Sequence, residues 1–152
     1  LKGIPYNLKE GGKMKKVTLL NSEISYVISK MGHTDSLTIG DCGLPIPDEV
    51  QRIDLAVVKG LPEFIPVLSA VLNELCVERV VMASEIMTES QELHHRIKEI
   101  ITAAEYDEKR NITIEYVPHE EFKKITSSSK AVIRTGEFKP FANIILVSGV
   151  TF

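Results

Sequence analysis

Lys130-Ala131-Val132-Ile133-Arg134 and Asn143-Ile144-Ile145-Leu146-Val147 are two apolar runs with only residues 135–142 between them. Each has the length and β-branched content of a buried strand. No helix fits in the gap, so a hairpin-like return is open to the chain and one strand can run antiparallel to its neighbours. Upstream, strands and helices alternate. Ile24, Val27, Ile28 and Met31 share one helical face, with Asn21 or Ser22 suited to cap its start and Gly32 its end. Residues 36–40 and 52–58 read as strands. Gly60 and Pro62 open a second helix, with Phe64, Val67, Leu68, Val71, Leu72 and Leu75 on one stripe. Pro66 must lie in its first turn or kink it. Residues 80–83 give a third strand, and Leu93, Ile97, Ile100, Ile101 and Ala104 a third helix. Residues 112–117 form a fourth strand, and Pro118 starts a short helix carrying Phe122 and Ile125. This order predicts an α/β fold of three layers, α/β/α, around a mixed, mostly parallel sheet.

The chain has 152 residues, enough for one domain with a real core and too few for two comfortable ones. Residues 1–13 read as a foreign extension ending in the linker-like Gly11-Gly12-Lys13, and residues 14–152 as a single domain beginning at Met14. A net charge of −3 with no basic cluster argues against a nucleic-acid partner. No apolar run approaches membrane-spanning length. Cys42 and Cys76 are too few for a disulfide framework, and without an export signal the expected location is cytoplasmic.

In open α/β sheets, ligands bind beyond the carboxyl ends of the strands. Asp41 ends the first strand, His119 follows the fourth, and Thr135 and Glu137 follow the fifth. Asp41-Cys42-Gly43 also suits a plain turn. Cys42 beside Asp41 lacks a dedicated base, which weakens a nucleophile role. His119 heads a helix with Glu120 and Glu121, where a surface cap is the competing role. A neutral imidazole there donates and accepts at once, which suits a sugar hydroxyl. His33 lies just past the first helix in Gly32-His33-Thr34-Asp35. It either caps helix carbonyls or moves protons near neutral pH, and Asp35 either pairs with it or closes its own loop. His95 and Glu99 have the spacing of a metal pair, but no third ligand is visible, so a solvated helix face is the better reading. No glycine-rich phosphate cradle and no Gly-x-Ser-x-Gly elbow occurs. A cofactor-free reaction, or simple binding, is expected.

With these motifs in place, the chain from Met14 to Phe152 resembles the D-ribose pyranase family, the ribose mutarotases with a fucose-acting branch. The resemblance rests on Leu20-Asn21-Ser22-Glu23-Ile24-Ser25, Gly32-His33-Thr34-Asp35, Asp41-Cys42-Gly43-Leu44-Pro45-Ile46-Pro47 and Arg52-Ile53-Asp54-Leu55-Ala56. It continues in His119-Glu120-Glu121-Phe122, Ala131-Val132-Ile133-Arg134-Thr135-Gly136-Glu137 and Ala142-Asn143-Ile144-Ile145-Leu146. The Gly43-Leu44-Pro45-Ile46-Pro47 run looks like the ribose branch. The resemblance implies catalysis by His33, and sugar contacts from Asp41, His119, Phe141, Ala142 and Asn143, with neither metal nor cofactor. It implies exchange between pyranose and furanose forms of free D-ribose; a sugar-binding protein of uptake or regulation, without catalysis, is the alternative, and an aldose–ketose isomerase a more distant one. The family usually has tyrosine where this chain has Phe141. If that hydroxyl bonds the sugar, its loss removes about 0.5–1.5 kcal/mol.

His33 and Asp41 flank the first predicted strand, whose five residues span roughly 17 Å. One monosaccharide cannot easily touch both unless the loop folds back or a second subunit supplies one of them. A homo-oligomer with sites near subunit interfaces is therefore expected. The resemblance implies a ring-like assembly, commonly a decamer.

Overall fold

A computed structural model describes residues 15–16 and 18–152. The extension expected over residues 1–13 and the start at Met14 lie outside those residues. Six strands form one sheet: β1 Ser36–Gly40, β2 Gln51–Asp54, β3 Val77–Ala83, β4 Thr113–Val117, β5 Ala131–Arg134 and β6 Ile144–Ser148. Their order is β2-β5-β1-β6-β3-β4. β1, β2 and β5 run parallel, as do β3 and β4, while β6 runs antiparallel to both β1 and β3. The sheet is mixed and mostly parallel, as predicted, but the return from β5 to β6 is not a hairpin. β1 lies between them, because β6 joins two parallel halves that would otherwise be separate.

The helices are α1 Ser22–Lys30, α2 Phe64–Leu72, α3 Ile86–Glu89, α4 Gln91–Glu108 and α5 His119–Ile125, followed by a 3-10 turn at Thr126–Ser128. Asn21 caps α1, its side chain accepting the Ile24 N–H at 2.9 Å. Pro66 is the third residue of α2, inside the first turn, where its missing N–H costs no helical bond. Gly32 does not close α1 in a left-handed conformation; the Met31 N–H bonds Ile28 instead, and Thr34 takes the positive φ of 71°. β2 stops at Asp54 rather than reaching residue 58, since residues 57–61 turn back on themselves through a bridge between Val58 and Leu61.

Alternation along the central strands separates two cores. Leu37, Ile39, Val80, Met82, Ile144 and Leu146 pack on one face with Ile24 and Val27 of α1, Leu68 and Val71 of α2, and Leu93, Ile97 and Ile101 of α4. Val81, Val132, Ile145 and Val147 pack on the other with Phe122 of α5 and with Leu44 and Val50 from the segment after β1. Phe122 is fully buried, and a side chain of that size contributes roughly 1.5–3 kcal/mol. The second face is thus covered by one short helix and one loop, which brings the Asp41 loop and the start of α5 to the same end of the sheet.

Candidate active site

Because β1–β5 all point the same way, Asp41, Ser84, Pro118 and Thr135 lie at one end, together with the segment that enters β6. Asn143 is 1% exposed, and its Oδ1 accepts the Asp41 N–H at 2.9 Å. Gly40 leaves room for this contact: a Cβ there would stand 2.6 Å from Leu44 Cδ2 and 3.1 Å from Asn143 Oδ1. The Asp41 carboxylate accepts the Gly43 N–H at 2.9 Å, so it does form a turn. Burial pushes its pKa above the usual aspartate range, and the Gly43 N–H, the Asn143 side chain, the Leu44 N–H and nearby His119 hold it back only in part.

The rest of this end is locked through the backbone. Cys42 donates its N–H to Glu137 O at 3.0 Å, and its carbonyl accepts Arg134 Nε at 3.1 Å. Arg134 also pairs with Asp54 at 3.0 Å. Glu137 is 6% exposed, and its carboxylate accepts N–H groups of Phe64, Phe138 and Lys139. Thr135 is buried and donates its hydroxyl to Gly40 O at 2.8 Å. These two residues, noted in the sequence for their place after β5, hold loops through these bonds.

His119 starts α5, and its N–H is shared by both carboxylate oxygens of Glu85 at 3.1 Å. Burial raises the Glu85 pKa, but bonds from its own N–H, His119 and Ser84 outweigh this and leave it lowered. The His119 ring stacks on Phe122 at 6.3 Å and meets the edge of Phe141 at 5.0 Å. Phe141 has a φ of 59°, an uncommon conformation that the Asn143 N–H stabilises by bonding its carbonyl at 2.9 Å. Ser90 fixes the preceding residue by donating to Pro140 O at 2.6 Å. Ala142 is fully buried with its methyl group in the larger core, so only its backbone is available to a ligand. Among the described residues, four buried side-chain atoms lack a hydrogen-bond partner, and two of them, His119 Nδ1 and Asn143 Nδ2, are here.

His33 lies at the opposite end. It precedes β1, and Thr34 donates its N–H to Ser148 O, the last residue of β6. Its Nε2 is 3.0 Å from a Glu78 oxygen, so the carboxylate beside it is that of Glu78 and not of Asp35. Asp35 instead accepts the Gly32 N–H at 2.8 Å, closing its own loop. The fold therefore brings together Asp41, His119, Phe141 and Asn143, and separates His33 from them by the length of β1. The remaining histidines serve other contacts: His94 bonds the Tyr116 hydroxyl at 2.6 Å, and exposed His95 pairs with Glu99 at 2.9 Å. Among the described residues no three His, Cys, Asp or Glu gather as a metal set, and no helix is long and apolar enough to cross a membrane.

Sequence reasoning passed over Glu78 and Glu85. Each is one acid among 21 Asp and Glu residues, and nothing in its local pattern marks the long-range partner. The carboxylate, imidazole and amide at the pocket form a set suited to a small polyhydroxyl ligand: an acceptor, a group that donates and accepts, and a donor.

This chain belongs to the RbsD/FucU transport protein family, whose model matches residues 14–151. It is 57% identical over 139 residues to a D-ribose pyranase of Clostridium perfringens, and 53% identical over 139 residues to one of Aliivibrio fischeri. Each alignment covers 91% of this chain and all of the relative. The structure of Bacillus subtilis RbsD complexed with D-ribose superposes with a TM-score of 0.83 at 43% identity, covering 91% of this chain and 100% of that one. The fucose mutarotase of Streptococcus pneumoniae, in complex with L-fucose, shares the fold at a TM-score of 0.68 and 23% identity, over 86% of this chain and 93% of that one.

Proposed function

We propose that this chain is an isomerase that interconverts the pyranose and furanose forms of free D-ribose. The observation that carries the reading is the gathering of Asp41, His119 and Asn143 at one end of the sheet, with His119 Nδ1 and Asn143 Nδ2 buried and without a hydrogen-bond partner among the described residues. Sequence identity above 50% to curated D-ribose pyranases supports the choice of sugar.

The reaction opens a hemiacetal and closes it on another hydroxyl. A base takes the proton of the anomeric hydroxyl, the bond from C1 to the ring oxygen breaks, and an acid protonates that oxygen. Closure on a different hydroxyl reverses the roles. Asp41, His119 and Asn143 orient the hydroxyls, with Phe141 as an apolar wall. His33 exchanges the protons, and a positioned group of this kind contributes ~10²–10⁴-fold. Since β1 holds His33 away from the pocket of its own chain, the His33 that reacts belongs to a neighbouring copy. The working unit is then a homo-oligomer, and the ring-like decamer implied by the family resemblance fits it. A reducing compartment, the cytoplasm, suits free Cys42 and Cys76.

NMR exchange spectroscopy on ribose, with and without protein, tests the reaction. Faster exchange between pyranose and furanose signals is expected; binding without faster exchange would leave a sugar-binding protein instead. Mixing subunits tests the shared site. His33→Ala and Asp41→Asn proteins, each strongly impaired at low ribose when assayed apart, should regain activity when unfolded and reassembled together, reaching about a quarter of the wild-type level if copies mix at random around a closed ring. No recovery in mixed oligomers would overturn the shared site.

A further inference from the structure

The structure assigns Glu78 as the positioning residue of His33. Glu78 is the second residue of β3, at the amino end of this interior strand, beside the Gly32–Asp35 loop. Both its carboxylate oxygens face His33 Nε2, at 3.0 and 3.2 Å. The loop that carries the imidazole is itself pinned to the end of β6. Thr34 donates its N–H to Ser148 O at 2.9 Å, and Ser148 donates back to Asp35 O at 2.8 Å. Thr34 adopts a φ of 71°, uncommon for a β-branched residue, and this turns the chain sharply at His33. Room for the carboxylate comes from Gly149, where a Cβ would stand 3.2 Å from Glu78 Cβ and 3.0 Å from Arg110 Nη1.

A carboxylate only accepts hydrogen bonds, so Nε2 carries hydrogen in this pair. In the neutral ring the lone pair is then on Nδ1, and Nδ1 is the atom left to take a proton from one sugar oxygen and return it to another. The pair is exposed, with side chains 52% and 40% accessible, so it adds little to stability. Its consequence is the tautomer and direction of the ring. Nothing in the local sequence pairs these residues; the contact exists because β3 and the loop before β1 meet at the amino end of the sheet, on either side of β6.

This assignment rests on the reading of His33 as the proton-transfer group in ribose ring opening. The test combines nitrogen NMR of His33 with ribose exchange kinetics in Glu78→Ala and Glu78→Gln proteins. In the unsubstituted protein, neutral His33 should be the Nε2–H tautomer. Glu78→Ala should show mixed tautomers and a saturated exchange rate lower by about tenfold to a hundredfold, with ribose affinity within about twofold. Glu78→Gln keeps an acceptor oxygen and should recover most of the rate and the Nε2–H form. An unchanged His33 spectrum and rate in Glu78→Ala would overturn the assignment. So would a Glu78→Gln protein as slow as Glu78→Ala. If the unsubstituted protein failed to speed ribose exchange, the enzymatic reading would fall, while the tautomer comparison would still decide the role of Glu78.

Discussion

At the carboxyl end of the sheet, Asp41, Asn143 and His119 sit among buried neighbours that leave little freedom. Glu137, Arg134, Thr135, Ser90 and Glu85 each tie a loop to a strand or helix end. At the other end, His33 is exposed on a short loop, and a single side-chain partner holds its ring. The first end has its polar groups fixed before any ligand arrives, which lowers the entropy cost of binding. The second has an exposed imidazole facing outward. If, as proposed, binding and proton transfer are divided between these opposite ends of one sheet, a single copy would be an incomplete catalyst.

Substitutions at the two ends should therefore fail differently. The largest effect is expected from His33→Ala, which should lower the exchange rate by ~10²–10⁴-fold while calorimetric ribose affinity stays near the unsubstituted value. Equal loss of affinity and rate would erase the division. Asp41→Asn should weaken ribose binding by about tenfold to a hundredfold, the usual range for a bond to a charged group. The same change should stabilise the fold at neutral pH. Because burial raises the folded pKa of Asp41, the folded state binds a proton more tightly than the unfolded state, and stability falls as pH rises through that pKa. Thermal unfolding should thus show the variant's advantage growing as pH rises above the ordinary aspartate value of about 3.9, until the folded-state carboxyl is fully ionised. An advantage that shrinks with rising pH would contradict the sign.

Gly40→Ala sharpens the comparison at the rigid end. The added methyl meets Leu44 and Asn143 and should destabilise by about 1–3 kcal/mol in denaturant unfolding, with ribose binding weakened alongside. The smallest effect is expected from Phe141→Tyr. The ring already contacts His119, so only the hydroxyl is new, and affinity should rise at most about threefold to tenfold. No change would mean that the ring alone serves the pocket.

Most strands and helices were legible because their apolar positions repeat at clear periods and their ends carry Asn21, Pro62 and Pro118. The antiparallel strand was foreseen from the short gap before it, but its place between β1 and β3 was not, since nothing in residues 143–147 names its neighbours. That Asp41 and His119 lie at the carboxyl end of the sheet was legible from their places after strands, while Phe141, Ala142 and Asn143 were singled out only through family resemblance. The proximity of these residues depends on a positive φ at Phe141 and on the lack of a side chain at Gly40, both set by tertiary packing. Glu78 and Glu85 were illegible for a related reason: each acts on a residue more than thirty positions away.

The position of β6 has a consequence for how the protein is made. Among the described residues it is the last strand in sequence order, yet it lies inside the sheet and is the one seam between β2-β5-β1 and β3-β4. A nascent chain that has emerged from the ribosome only as far as β5 holds two half-sheets with raw edges facing each other and nothing to join them. Closure waits on β6, the last of the six strands to be synthesised. A truncation before Ile144 should yield an aggregating product rather than a smaller folded one.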